Sequence, residues 1–118
     1  MRDYKKLEVW RRAHQLTLFV YRDVLPLFPQ HETFSLASQT KRAAYSISMN
    51  IVEGCGKHTE KDFTNFLDIS LGSTHELEYC CLLSKDLNYL PEEVFVIINN
   101  EVNQVKAMLI GLIKSIRG

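Results

Sequence analysis

Cysteine, proline, glycine and tryptophan are all scarce in this chain, whose 118 residues hold three, three, five and one of them. Three cysteines do not make a disulfide framework: the number is odd, and Cys80 and Cys81 are neighbours that would pair only under strain. Reduced, buried thiols are expected. So little proline and glycine excludes collagen-like and low-complexity arrays, and 46% hydrophobic residues exclude intrinsic disorder. No apolar run approaches the ~18 residues of a membrane span. The opening residues Met1-Arg2-Asp3-Tyr4-Lys5-Lys6 lack the apolar stretch of a secretory signal. A soluble cytoplasmic protein with no membrane partner is expected, and the length suits one domain over residues 1–118.

A surplus of either charge is also missing, because Lys+Arg and Asp+Glu stand at 14 each. The distribution is nevertheless uneven. Met1 to Lys61 carries ten Lys/Arg against six Asp/Glu, and Asp62 to Gly118 carries four against eight, so the halves stand at about +4 and −4. Such asymmetry fits either a basic face for nucleic acid or elements that pair within or between subunits.

What is present is helical periodicity between breakers. Pro26 with Pro29, Gly54-Cys55-Gly56 and Asn88-Tyr89-Leu90-Pro91 cut the chain into four segments. The spacing predicts helices over about 7–25, 34–55, 60–87 and 92–117. Leu7, Trp10, His14, Thr17, Tyr21 and Val24 recur at steps of three and four along the first. Leu36, Thr40, Ala43, Ile47 and Ile51 do so along the second, with small residues that permit close helix approach. Thr59 and Asp62 form a capping-box pattern at the start of the third, whose buried side reads Phe63, Phe66, Leu67, Ser70, Leu77, Cys80, Cys81 and Leu87. Gly72 inside that helix suggests a close backbone crossing. Phe95, Ile98, Val102, Val105, Leu109, Leu112 and Ile116 run in register through the fourth, behind Pro91 and two glutamates suited to a helix start. Short connections between four long helices predict an all-α, antiparallel up-down-up-down four-helix bundle. Leu18-Phe19-Val20 and Leu109 to Ile113 widen the apolar faces beyond what one bundle core needs, which predicts self-association.

Catalytic and metal patterns are absent from the sequence. No Glu is followed three positions later by His, as bundle di-iron sites require, and Cys55-x-x-His58 has no second pair at zinc spacing. No metal and no cofactor are expected. Ser46, Ser73 and the cysteines lack a nucleophile elbow, Gly54 to Lys57 is too short for a phosphate loop, and no enzyme activity is expected. Two sets of polar residues rise above background. Gln39, Arg42, Ser46, Asn50 and Glu53 share one face of the second helix, either as a hydrogen-bonded network or interface, or as a ligand contact. The cations Arg11, Arg12, Lys41, Arg42 and Lys57 are candidates for gripping phosphates, repeated around an oligomer. No base-reading motif or aromatic stacking platform accompanies them in the sequence.

The residues Leu7-Glu8-Val9-Trp10-Arg11-Arg12-Ala13, Phe28-Pro29, Gln39-Thr40-Lys41-Arg42-Ala43-Ala44-Tyr45-Ser46-Ile47, Asn50-Ile51-Val52-Glu53-Gly54 and Phe63-Thr64-Asn65-Phe66-Leu67 carry a family resemblance. Together with Tyr21, Glu32, Phe34, Leu36, Gly72-Ser73 and Glu76-Leu77-Glu78, they make the chain resemble the four-helix bundle family encoded in intervening sequences of bacterial 23S ribosomal RNA genes. The resemblance implies a bacterial bundle that assembles into a homopentameric ring or barrel and has no established catalytic activity. Related accessory proteins of diversity-generating retroelements imply contact with nucleic acid and a reverse transcriptase. The chain departs from their strongly basic character, with Lys41 as the second basic position before Ala43-Ala44 and Lys57 where the family has Arg. Three readings follow: an oligomeric bundle that binds RNA or DNA through a basic surface; a structural or protein-interaction module whose charges pair between subunits; and an enzyme using Arg42, Asn50 and Glu53.

Overall fold

The first helix, α1, spans Glu8–Phe19, widens into a π turn over Val20–Val24, tightens into a 3-10 turn over Leu25–Leu27, and ends where Phe28 becomes extended before Pro29. Pro26 sits in the first turn of that last piece, and its missing N–H ends the hydrogen-bond ladder of the turn before it. All 118 residues are described, in a computed structural model. The second helix, α2, covers Leu36–Cys55 and lacks a side-chain cap from Ser35. Glu32 takes that role from one turn upstream, its carboxylate accepting the Leu36 N–H at 3.2 Å.

The third helix, α3, covers Glu60–Asp86. Thr59 caps it by accepting the Asp62 N–H at 3.1 Å, and the reciprocal bond from the Thr59 N–H to the Asp62 carboxylate is not formed, so the capping box is half built. Asn88 adopts a left-handed conformation at φ 65°; the Tyr89 N–H folds back to the Ser84 carbonyl at 2.8 Å and the Asn88 N–H to the Lys85 carbonyl at 2.9 Å, which satisfies two carbonyls of the last turn. The fourth helix, α4, covers Glu92–Arg117, with Glu92 and Glu93 at its positive end and Lys114 and Arg117 at its negative end. There is no strand.

Each helix packs on two others: α1 lies on α2 and α4, α3 lies on α2 and α4, and the diagonal pairs do not meet. The particle measures 43 × 23 × 20 Å, close to the ~40 Å expected of a 27-residue helix at ~1.5 Å per residue. Its core joins Ala13, Leu16, Val20 and Val24 to Ala43, Ile47, Ile51, Phe63, Leu67, Leu77 and Cys81, and on α4 to Ile98, Val102, Val105 and Leu109.

Three expectations need correction. The buried stripe of α1 is Val9, Ala13, Leu16, Val20 and Val24, one step round from Leu7, Trp10, His14, Thr17 and Tyr21. Apolar side chains gain about 1.5–3 kcal/mol each on full burial, whereas Trp, His and Tyr carry polar atoms that need partners and so settle at the flank. Leu87 is 45% exposed because the chain has already left the helix there. Gly72 faces open space, with nothing within 4 Å of where its Cβ would stand, so no helix of the same chain crosses it.

Candidate nucleic-acid interface

The five candidate cations occupy different surroundings. Arg12 is half-buried and turned toward α4, where its guanidinium meets the Glu101 carboxylate at 3.2 Å and the Gln104 side-chain oxygen. Arg11 is exposed and lies in a surface pair with Glu8 at 2.7 Å, its second nitrogen donating to the Lys5 carbonyl at 3.3 Å. Lys57, just past the end of α2, holds its ammonium 5.2 Å from the Phe66 ring centroid on the α3 side. Lys41 and Arg42 lie exposed near the start of α2 and make no side-chain hydrogen bond or ion pair. From Lys41 to Cys55 the helix advances about 21 Å. Arg12 faces α4 and Lys57 the α3 side, so the two serve different flanks of one chain; Lys41 and Arg42 are free, and as consecutive residues they point about 100° apart round α2.

The polar stripe on α2 splits in the same way. At its centre the Asn50 amide donates to the Ser46 carbonyl at 2.8 Å and to the Ser46 hydroxyl at 3.1 Å. Ser46 and Ser73 share a hydrogen bond at 2.9 Å that joins α2 to α3, and Ser73 donates onward to the Ile69 carbonyl at 3.3 Å. Gln39, Arg42 and Glu53, at the ends, are exposed. None of the four surface clefts is lined by Arg42, Asn50 or Glu53. The cleft that holds a candidate cation, about 190 Å³ in volume, brings Lys41 beside Leu25, Phe28, Thr33, Ala37 and Ser38.

The charge asymmetry of the chain is not spent inside it. Of the ion pairs only Arg12 with Glu101 joins the basic half to the acidic half; Arg2 with Glu60, Lys106 with Glu78, Lys85 with Glu92 and Arg117 with Asp68 each stay within one. Elsewhere, the Tyr89 hydroxyl donates to Glu32 at 2.8 Å, and this bond, with the Leu36 N–H, holds the Glu32 carboxyl below its ordinary value while the phenol is pushed above its own. Burial raises all three thiols, so none is poised as a nucleophile. No group of three or more His, Cys, Asp or Glu side chains is placed to hold a metal ion.

One feature escaped the sequence. Trp10 and His14 stack with ring centroids 4.9 Å apart and planes 9° from parallel, and Tyr4 stands edge-on to Trp10 at 4.9 Å. The signal was the i, i+4 spacing of two rings beside the basic run Lys5-Lys6-Arg11-Arg12, which core periodicity had absorbed.

A family described as 23S rRNA-intervening sequence protein matches residues 5–111. A solved structure, described as a protein with unknown function from the S23 ribosomal protein family from Bacteroides thetaiotaomicron, is similar in fold. It is 26% identical with a TM-score of 0.83, over 90% of this chain and 95% of that one. Among curated proteins no significant match is found.

Proposed function

Because the chain belongs to the 23S rRNA-intervening sequence protein family, we propose that it is a non-enzymatic bundle that self-associates and presents the cations of its first two helices to RNA or DNA. The observation that carries this reading is the unspent charge of the first half: Lys41 and Arg42 stand free on α2, and a single ion pair crosses between the halves. Unpaired cations repeated around an assembly bind phosphate backbones without reading sequence.

Self-association is supported on the α3 flank of α2, the flank that Arg42 shares with Ser46 and that lies away from Lys41. Met49 is 61% and Ile69 52% exposed beside the Ser46–Ser73 bond, and Gly72 leaves room there for another backbone. A closed ring, five-membered by family resemblance, would cover those residues, set Arg42 at the rim of the contact and leave the α1 side of α2, with Lys41, outward. The pairing of Arg117 near the end of α4 with Asp68 near the start of α3, and of Lys85 with Glu92 across the next turn, supports an antiparallel up-down-up-down arrangement in each copy. The absence of a cleft around Arg42, Asn50 and Glu53 weighs against an enzyme built on that stripe.

The alternative is a structural or protein-interaction module in which the same free cations meet the acidic third and fourth helices of a neighbouring copy. The two readings part on one experiment: mobility of labelled structured RNA and duplex DNA with the protein across a salt series, with the mass of the protein followed in the same buffers. Binding by an oligomer that weakens as salt rises, and is lost on charge reversal at Lys41 and Arg42, supports the first. An oligomer that binds neither polymer at low salt and dissociates as salt rises overturns it in favour of the second.

A further inference from the structure

The facing flanks of α1 and α2 carry two stripes with the same spacing. Steps of four, three and four place Trp10, His14, Thr17 and Tyr21 along one flank of α1, and Lys41, Tyr45, Ser48 and Val52 along one flank of α2. The stripes are tied at mid-length, where the Thr17 hydroxyl lies 3.1 Å from that of Ser48 and 3.2 Å from the Ala44 carbonyl. The groove between them is a shallow surface seam and none of the clefts described above, but its side chains face solvent on either side of the tie: His14, Tyr21 and Lys41 are exposed, and Trp10 and Tyr45 are half-buried. Neither stripe holds a carboxylate.

Its rings are already ordered. Trp10 packs against the core and covers one face of the His14 imidazole, while no other ring lies against His14. A planar group stacking there would extend an existing stack and would order little beyond itself, so the entropic cost of the contact is small. At the other end of the groove stands the unpaired ammonium of Lys41. The Arg2 N–H donates to the Cys55 carbonyl, so the start of α1 lies beside the end of α2, and Lys41 falls toward Tyr21 rather than toward Trp10. His14 and Lys41 are then about 15 Å apart along the groove.

We propose that this groove binds single-stranded nucleic acid, stacking an unpaired nucleobase on the open face of His14 while Lys41 holds a backbone phosphate. The inference rests on the nucleic-acid reading above and narrows it to a strand class and a place. Every base has a π-face, and stacking on an aromatic side chain tolerates any sequence, as the lack of base-reading motifs requires. A duplex keeps its bases inside and offers phosphates alone, so it would use Lys41 and not His14. The separation of the two contacts calls for a strand of several nucleotides and not a free nucleotide.

Trp10 is the single tryptophan, so its fluorescence reports on the stack. The test titrates a short oligouridylate, and separately an RNA duplex of equal length, into the wild type and into His14→Ala, His14→Phe and Lys41→Ala proteins at low salt. Tryptophan emission, anisotropy of the labelled nucleic acid and mass in solution are recorded together. The strand is expected to quench Trp10. His14→Ala should lose about tenfold in affinity for the strand, within the range for one stacked base, with duplex affinity unchanged. His14→Phe should restore strand binding, and Lys41→Ala should weaken both. If strand and duplex bind but His14→Ala alters neither, the groove assignment fails while the nucleic-acid reading stands. If the wild type binds neither, both fail. A His14→Ala protein with altered mass in solution would identify the groove as the seat of a second copy and would overturn the assignment.

Discussion

Gly54 on α2 faces Phe66 on α3 so closely that a Cβ at position 54 would stand 2.9 Å from the Phe66 Cβ, and 3.2 Å from both Cδ1 and the carbonyl oxygen of Phe63. The obstacles include backbone and the root of a side chain, which cannot swing aside. Gly54→Ala should therefore destabilise the protein by about 1–3 kcal/mol through overpacking, even though alanine is the better helix former by about 1 kcal/mol. Thermal unfolding measures this, and an unchanged or raised midpoint would show that α2 and α3 do not meet so closely.

Gly72 is the opposite case. With open space around its missing Cβ, Gly72→Ala should stabilise an isolated chain by up to about 1 kcal/mol. In the proposed assembly the same methyl group intrudes between copies, so the mass in solution should fall while the unfolding midpoint, measured at a concentration where the wild type is monomeric, rises. A rise in midpoint with unaltered mass would remove Gly72 from any subunit contact.

These two glycines also mark how far the sequence could be read. Four helices and their breaks were legible, because Pro91, Thr59 and the glycines around Cys55 act locally on the backbone. The inward faces of α2 and α4 were legible too, since Ala43, Ile47 and Ile51, continued by the small Thr40, and Ile98, Val102, Val105 and Leu109 each recur at helical spacing with no competing apolar stripe. On α1 two stripes compete at the same spacing, one aromatic and one built on Ala13 and Leu16, and the choice depends on where α2 and α4 lie. The π turn at Val20–Val24 then carries Val24 into the core and leaves Tyr21 44% exposed. For the candidate site the residue types were legible, but their partners were not. Nothing local to Arg12 announces Glu101, and nothing local to Lys41 announces that it remains free.

Arg2 grips Glu60 with two parallel hydrogen bonds of 2.6 and 2.7 Å while its guanidinium lies 4.0 Å from the Phe63 ring centroid. The bond to Arg2 holds the Glu60 carboxyl below its ordinary value. A carboxyl depressed in the folded state binds its proton less readily there than in the unfolded chain, so its stabilisation is present above the unfolded value of about 4.3 and is lost as pH falls through the folded one. The unfolding midpoint should accordingly drop as the solution is acidified below about pH 4.3, and the drop should be shallower in Glu60→Gln. Both side chains remain partly exposed, at 31% and 60%, so the effect should also shrink in high salt. Equal acid slopes in the two proteins would mean that the pair does not persist in solution.

Cys55, Cys80 and Cys81 are free and buried, and burial pushes the Cys81 thiol up to about 12. Only the thiolate attacks an aromatic disulfide reagent, and at pH 8 a thiol with that value is ionised to about one part in ten thousand. Cys81 in the native protein should thus stay unmodified over hours while unfolded chains react at once. The rate of its modification then reports opening of the helix packing around it, not accessibility of a reactive site. Raising the reagent concentration should leave that rate unchanged once reagent outruns reclosing, and Gly54→Ala should increase it, because strain between α2 and α3 favours opening of the same core. Rapid labelling of Cys81 in the wild type, proportional to reagent, would place the thiol at the surface and refute the packing of α3 against its neighbours.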